Sequence, residues 1–347
     1  MEEKVTYVGL DVHAEKTVAS WGRPLEQVRR LEVPTSREGY RILTRRIGRT
    51  RLWGAYEASS CGFVPYDWLV EMDWRVSVIP PTHIKRSRKS RKNKADPKDA
   101  DMLRDLVMSH GELGAEMAEV FIPDKELRDD RELTRQRLHL KEKSSAVKAG
   151  ILQLLRRHGV DRPADLKSKW TKKHVAWLRR LAGEKGALPP MSRLVLAGQL
   201  RTLDFLERET AILDEALERM TQKPRYEAAL KRMTRHKGVG PLTAAVVLLE
   251  LGDPHRFANR RKVGSFFGLT PSRRDSGRQV DHLGHITRMG SSLARKVLNQ
   301  AAWAYLRCND KQNAWFSQVA NRRRKKIAIV GVMRKLAILL WHEAKAA

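Results

Sequence analysis

Asp96 and Asp99 stand three residues apart in RKNKADPKDADMLRD, residues 91–105, with Pro97 between them. Proline suits the first position of a helix, and acids three apart project from one helix face. Eight Lys or Arg residues crowd between Lys85 and Lys98, a density that suits a polyanion. Carboxylate oxygens bind hard cations such as Mg2+, and a cation held beside phosphate can do phosphodiester chemistry. The same Asp-Pro-x-Asp also makes a good helix cap with an acidic first turn, so the segment alone supports either reading.

Two further acids end segments that read as strands. Residues Val5 to Asp11, VTYVGLD, and Leu52 to Glu57, LWGAYE, each finish on a carboxylate, and sites in α/β sheets collect at strand carboxyl ends. Thr17 to Trp21, Gln27 to Val33 and Arg75 to Ile79 read as further strands. Ser36 to Ile47 and Phe63 to Met72 read as helices, so the opening predicts a mixed α/β sheet. Asp11, Glu57, Asp96 and Asp99 then form an acidic set in that chain order. Packed together, such carboxylates repel and take up protons unless a divalent cation neutralises them, and two magnesium ions would clamp the attacking and leaving oxygens of a phosphodiester. Singly, Asp11 and Glu57 are as readily turn acids.

The chain has 347 residues, room for two or three domains, and a formal net charge of +29. That imbalance makes nucleic acid the leading partner and an anionic membrane surface a weaker second. Two cysteines, Cys61 and Cys308, are too few for a disulfide scaffold or a zinc cluster. No apolar run approaches spanning length, so the expectation is an untargeted, cytoplasmic protein associated with the nucleoid when bound.

The pattern changes at Phe121. From Lys125 to His158, Leu133, Leu140, Val147 and Leu154 keep seven-residue steps; from Ser192 to Thr221, Leu196, Leu203 and Leu217 do so, interrupted by Thr210. Such stripes favour a coiled coil, within one chain or between chains. The expected organisation is an α/β domain at 1–120, a helical coiled-coil region at 121–225, and a mainly α domain at 226–347. In the last, HKGVGP with Gly238 and Gly240 reads as the turn of a helix-hairpin-helix, where glycines let backbone N–H groups approach a phosphate, or as a plain interhelical turn. Arg273, Arg274 and Ser276 share one loop, where guanidinium groups can hold a phosphate beside a hydroxyl. The tail carries Arg322, Arg323 and Arg324 at the head of RRRKK.

YVGLDVH, AYEAS, KADPKDADMLRDL, and the run from GVGPLTAAVVLLELGD through GLTPSRRDSG to LGHITRMGSSLARKVLNQAAW resemble, over nearly the whole chain, the insertion sequence 110 family of DEDD transposases, described as bridge-RNA-guided recombinases. The resemblance implies a RuvC-like, ribonuclease H-like first domain with Asp11, Glu57, Asp96 and Asp99 as magnesium ligands, and two ions in each composite site. It implies a C-terminal transposase domain in which Ser276 forms a covalent phosphoserine link to DNA. It further implies target and donor DNA and a structured guide RNA as partners, and a dimer or tetramer whose protomers share the site. Lys85, Arg86, Arg88, Lys89, Arg91, Lys92, Gly238, Gly240, Arg273, Arg274, Arg322, Arg323 and Arg324 are the expected nucleic-acid contacts.

Two positions depart from the family pattern. Asp275 precedes Ser276 where the family often has serine, and Ala95 stands where it commonly has threonine. Ser272 is a second candidate nucleophile. Two other functions use parts of the same inventory: a RuvC-like junction nuclease, which needs the acids but no serine, and a non-catalytic nucleic-acid-binding protein, which needs only the cations.

Overall fold

The computed structural model describes residues 4–82, 84, 96–184, 187–273 and 283–347, without the side chains at 96, 97, 273 and 283. The chain forms two compact units, Met1–Ile122 and Pro123–Ala347. Apart from residues 121 and 122, the regions expected at 121–225 and 226–347 both lie in the second unit.

The first unit is built on strands β1 (Val5–Val12), β2 (Lys16–Gly22), β3 (Arg29–Pro34), β4 (Arg51–Glu57) and β5 (Arg75–Ile79), ordered β3-β2-β1-β4-β5. The hairpins β1–β2 and β2–β3 are antiparallel, whereas β1–β4 and β4–β5 are parallel. Helix α1 (Arg37–Ile47), capped by Ser36, returns the chain from β3 to β4, and α2 (Val64–Val70) returns it to β5. Alternate strand positions feed opposite faces. Val8, Leu10, Val12 and Tyr56 pack with Tyr40, Leu43 and Leu69 on the side of α1 and α2. Tyr7, Trp53, Ala55 and Ile79 pack with Leu103 and Val107 of α3 (Asp96–Leu113) on the other.

The second unit opens with α4 (Lys125–Arg157), continues through α5 (Lys172–Ala182), and returns along α6 (Pro190–Thr221). Helices α4 and α6 pair antiparallel within one chain. Glu126 and Asp130 accept from Lys223, Arg137 pairs with Asp214, and Lys148 pairs with Glu207. The seven-residue stripes face inward at Leu140, Leu154, Leu196, Leu203 and Leu217. Within this chain the buried positions of α4 and α6 face each other.

A larger core gathers α7 (Pro224–Met233), α8 (Pro241–Leu251), α9 (Arg260–Phe266), α10 (Ser292–Arg307), α11 (Asp310–Arg323) and α12 (Lys325–Lys345). Helix α8, apolar on all sides, is buried nearly throughout. The half-buried Arg131 of α4 donates to the Leu249 and Glu250 carbonyls at the end of α8, satisfying acceptors that a helix terminus leaves open. Between α9 and α10 a short antiparallel pair, β6 (Pro271–Arg273) and β7 (Leu283–Ile286), interrupts the helices. Among the described residues no helix is long and apolar enough to cross a membrane.

Candidate active site

Asp11 and Glu57 are brought together by strand register. Gly9 lies opposite Ala55 and Leu10 opposite Tyr56, so the two acids follow one step later on adjacent parallel strands, about 5 Å apart between backbones. Both share the face of Ala55, which is the face that α3 covers. Glycine at position 9 is what lets α3 come so close: a β-carbon there would collide with the backbone of Ala100 and Arg104. At its other end α3 packs Gly111 against Tyr7 and Trp53. The helix therefore runs opposite to β1, and its N-terminal turn points toward the strand ends that carry Asp11 and Glu57. Asp99 lies in that turn and is 9% exposed. Asp96 begins the helix one turn earlier, and its side chain lies outside the described residues.

A polar network fixes α3 in this position. Asp101 accepts from Ser20 at 2.6 Å and from both Arg30 Nε and Nη2, at 3.0 and 2.7 Å. Arg104, 7% exposed, donates to Ser20 and to Asp105. Burial raises the Asp101 pKa, but the bonds from Arg30 and Ser20 outweigh it and leave the carboxyl below its ordinary value. Beside Asp11, His13 Nε2 lies 3.2 Å from Oδ2. None of Gly9, His13, Asp101 and Arg104 was singled out from the sequence. His13 was within reach of such reasoning, because it lies two residues beyond Asp11.

The donors in this group are all carboxylate oxygens, the chemistry that suits Mg2+. Among the described residues no group of three or more His, Cys, Asp or Glu is placed to hold a metal ion. Asp11, Glu57 and Asp99 each have further interactions, and the side chain of the fourth acid, Asp96, lies outside the described residues.

In the second unit, Ser276, Arg274 and the rest of 274–282 lie outside the described residues, as does the Arg273 side chain; the base of their loop is described. Gly268 (φ 64°) and Gly290 (φ 72°) hold it shut: a β-carbon on the first would strike Met289, and on the second the Phe266 carbonyl. Arg295 donates to the Phe267, Met289 and Gly290 carbonyls. Ser272 Oγ donates to the His285 carbonyl at 3.0 Å, so this hydroxyl is engaged in the hairpin. Gly238 (φ 89°) serves close packing, since a β-carbon would meet the backbone of Ala304 and Tyr305 in α10, whereas Gly240, at the start of α8, faces open space. Arg322, Arg323 and Arg324 are exposed where α11 meets α12. Lys85, Arg86, Arg88, Lys89, Arg91 and Lys92 lie outside the described residues.

A mixed sheet with acids at the ends of two adjacent parallel strands, covered by a helix that begins at Asp96, stands in a chain whose sequence matches the transposases of one class of insertion element. Residues 8–159 match the DEDD transposase domain of IS110 elements, and residues 230–317 match the transposase of the IS116/IS110/IS902 family. The chain belongs to this family. It is 28% identical over 314 residues to the transposase of insertion sequence element IS1111A from Coxiella burnetii, covering 86% of this chain and 82% of that one. It is 28% identical over 289 residues to the transposase y4rJ of Sinorhizobium fredii, covering 78% and 71%. With a family 20 transposase of Pseudomonas aeruginosa it shares 30% identity over 168 residues, and there the chain spans about half, 48%, of the relative's length.

Proposed function

We propose that the chain is a DNA recombinase of an insertion sequence, acting in the cytoplasm, that cuts and exchanges DNA strands through a covalent phosphoserine, with a structured guide RNA pairing to target and donor DNA. The first unit is then a RuvC-like, ribonuclease H-like domain. The observation that carries the reading is the meeting of Asp11 and Glu57 on one face of the sheet beneath the N-terminal turn of α3.

In this reading Asp11, Glu57, Asp96 and Asp99 hold Mg2+, two ions in each complete site. When bound, the metal supplies positive charge to the scissile phosphate and its leaving oxygen. The protein's part is positional: the sheet fixes two carboxylates, and the Ser20, Arg30, Asp101 and Arg104 network fixes the helix that brings the others. Ser276 Oγ gives up its proton and bonds to phosphorus. The bond from phosphorus to the leaving deoxyribose oxygen breaks, and that oxygen takes up a proton. Attack by the hydroxyl of an incoming strand reverses these events, so the phosphodiester is resealed with no nucleotide cofactor. Lys85 to Lys92, Gly238, Gly240, Arg273, Arg274 and Arg322 to Arg324 hold the backbone, while base pairing to the guide selects sequence. The engaged Ser272 hydroxyl favours Ser276 of the two serines. Protomers of a dimer or tetramer share the site.

The test is to incubate the protein with cognate DNA, guide RNA and Mg2+, then denature it. A protein–DNA adduct is expected from the wild type and from Ser272→Ala, and none from Ser276→Ala or Asp11→Ala. Cleavage without adduct would instead assign a metal-dependent nuclease, and neither product would assign a binding protein.

A further inference from the structure

The helical arm of the second unit ends in a basic tip that the recombinase reading leaves without a task. Helix α4 is 33 residues long, about 50 Å at 1.5 Å per residue. Leu127 at its start belongs to the main core, whereas Ile151, Leu154 and Leu155 near its end belong to a separate cluster with Leu166, Trp177, Leu178, Leu188, Leu196 and Leu200. The tip thus has a small core of its own, about 35 Å along α4 from Leu127.

Helix α5 covers that core with one face. His174, Trp177 and Leu178 are buried, and Lys172, Lys173, Ala176, Arg179 and Arg180 form the opposite, exposed face. This helix contains no acid. Lys167 and Lys169 are exposed on the loop leading into it, and Arg156 and Arg157 on the last turn of α4. Only Arg179 among these has a described carboxylate partner, Asp204 at 2.8 Å.

Helix stability accounts for Arg179 and Arg180 in the last turn of α5, and for Arg156 and Arg157 in that of α4, but not for the lysines at the start of α5. Cations are favourable in the last turn of a helix and unfavourable in the first, where the macrodipole is positive. Lys172 and Lys173 occupy the first turn of α5, behind the Thr171 cap. Charge that opposes its own helix calls for an external anion. The stripe from Lys172 to Arg180 extends about 12 Å, the length of two or three consecutive backbone phosphates. It is also the solvent side of a packed miniature core, so its cations are presented from a fixed surface.

We infer that the tip of the arm is a nucleic-acid contact in its own right, gripping the phosphodiester backbone through Lys167, Lys169, Lys172, Lys173 and Arg180, independently of sequence and at a distance from the main core of its unit. The inference rests on the reading that the protein works on nucleic acid, but not on any step of strand chemistry.

The experiment measures binding of the full chain to duplex DNA, duplex RNA and single-stranded RNA of unrelated sequence over a range of salt. It compares wild type with a variant carrying Gln at those five positions and with one carrying Arg at the four lysines. With the ligand that the tip holds, the Gln variant should bind about 10-fold or more weakly at physiological salt, and its log–log salt slope should be shallower by about 3 to 5, near one per lost phosphate contact. The Arg variant should keep the wild-type slope. Loss confined to RNA assigns the tip to RNA, loss confined to DNA assigns it to DNA, and either outcome supports the contact. A Gln variant with wild-type affinity and slope for all three ligands overturns it, as does a wild type that binds none of them. A chain that shows this loss yet forms no adduct with cognate DNA would retain the contact and lose the recombinase reading.

Discussion

At the scale of single residues, the account turns on side chains that hold the cation and others that hold these in place. Asp11→Ala, Glu57→Ala and Asp99→Ala should each lower Mg2+-dependent strand cleavage by on the order of 10² to 10³-fold, the range seen when one preorganised charge stabiliser is removed, while DNA affinity at low salt is retained. Gel assays of cleavage and binding on the same samples check both halves; equal cleavage by Glu57→Ala would remove it from the site. Gly9→Ala should destabilise the first unit by about 1–3 kcal/mol through overpacking against the α3 backbone, and thermal melting measures it. The strands that carry Asp11 and Glu57 were legible in the sequence, the first from its β-branched and aromatic residues and the second from the short apolar run LWGAY. Gly9 and Asp101 were not. The role of Gly9 exists only once a helix some ninety residues downstream lies across β1, and that of Asp101, within the helix, only once its partners Ser20 and Arg30 on β2 and β3 are reached.

At the scale of elements, the arm of α4, α5 and α6 has its own cluster and should respond to change by itself. Ile151→Ala, at a fully buried position, should cost about 2–5 kcal/mol, read as faster amide exchange in α5 than in α8. His174 gives the tip a pH dependence. It is 1% exposed, takes the Trp170 N–H at Nδ1, and lies against Trp170 and Trp177. Burial, then Arg162 and Lys169, lower its pKa below the ordinary 6.5. The unfolded chain therefore takes up this proton first as pH falls. The stabilisation from neutral His174 is complete above about pH 6.5 and declines below it. Melting from pH 8 to pH 5 should show this loss, and a His174→Gln variant with an equally steep profile would contradict it. The long helices were legible from their seven-residue stripes, but the partner was not, because the same stripe suits a helix of either chain. Strands β6 and β7 were missed for a different reason: with three and four residues they are too short to show alternation.

At the scale of the whole molecule, net charge of +29 pointed to a polyanion before any element was placed, and the cations at the arm's tip give part of that charge a location. A site shared between protomers predicts that the protein on cognate DNA sediments as a dimer or larger, and that a mixture of Asp11→Ala with Ser276→Ala chains regains adduct formation that neither has alone. A monomer on DNA with full activity would end that part of the account. The most direct test of the central claim, that acids far apart in sequence hold divalent cations at one site, is to replace Mg2+ by Fe2+ and map where the peroxide-driven radical cuts the chain. Scission is expected near Asp11, Glu57 and 96–99 together, and it should vanish from all three in Asp11→Ala. Cuts at unrelated segments, or a pattern unchanged in that variant, would contradict the account.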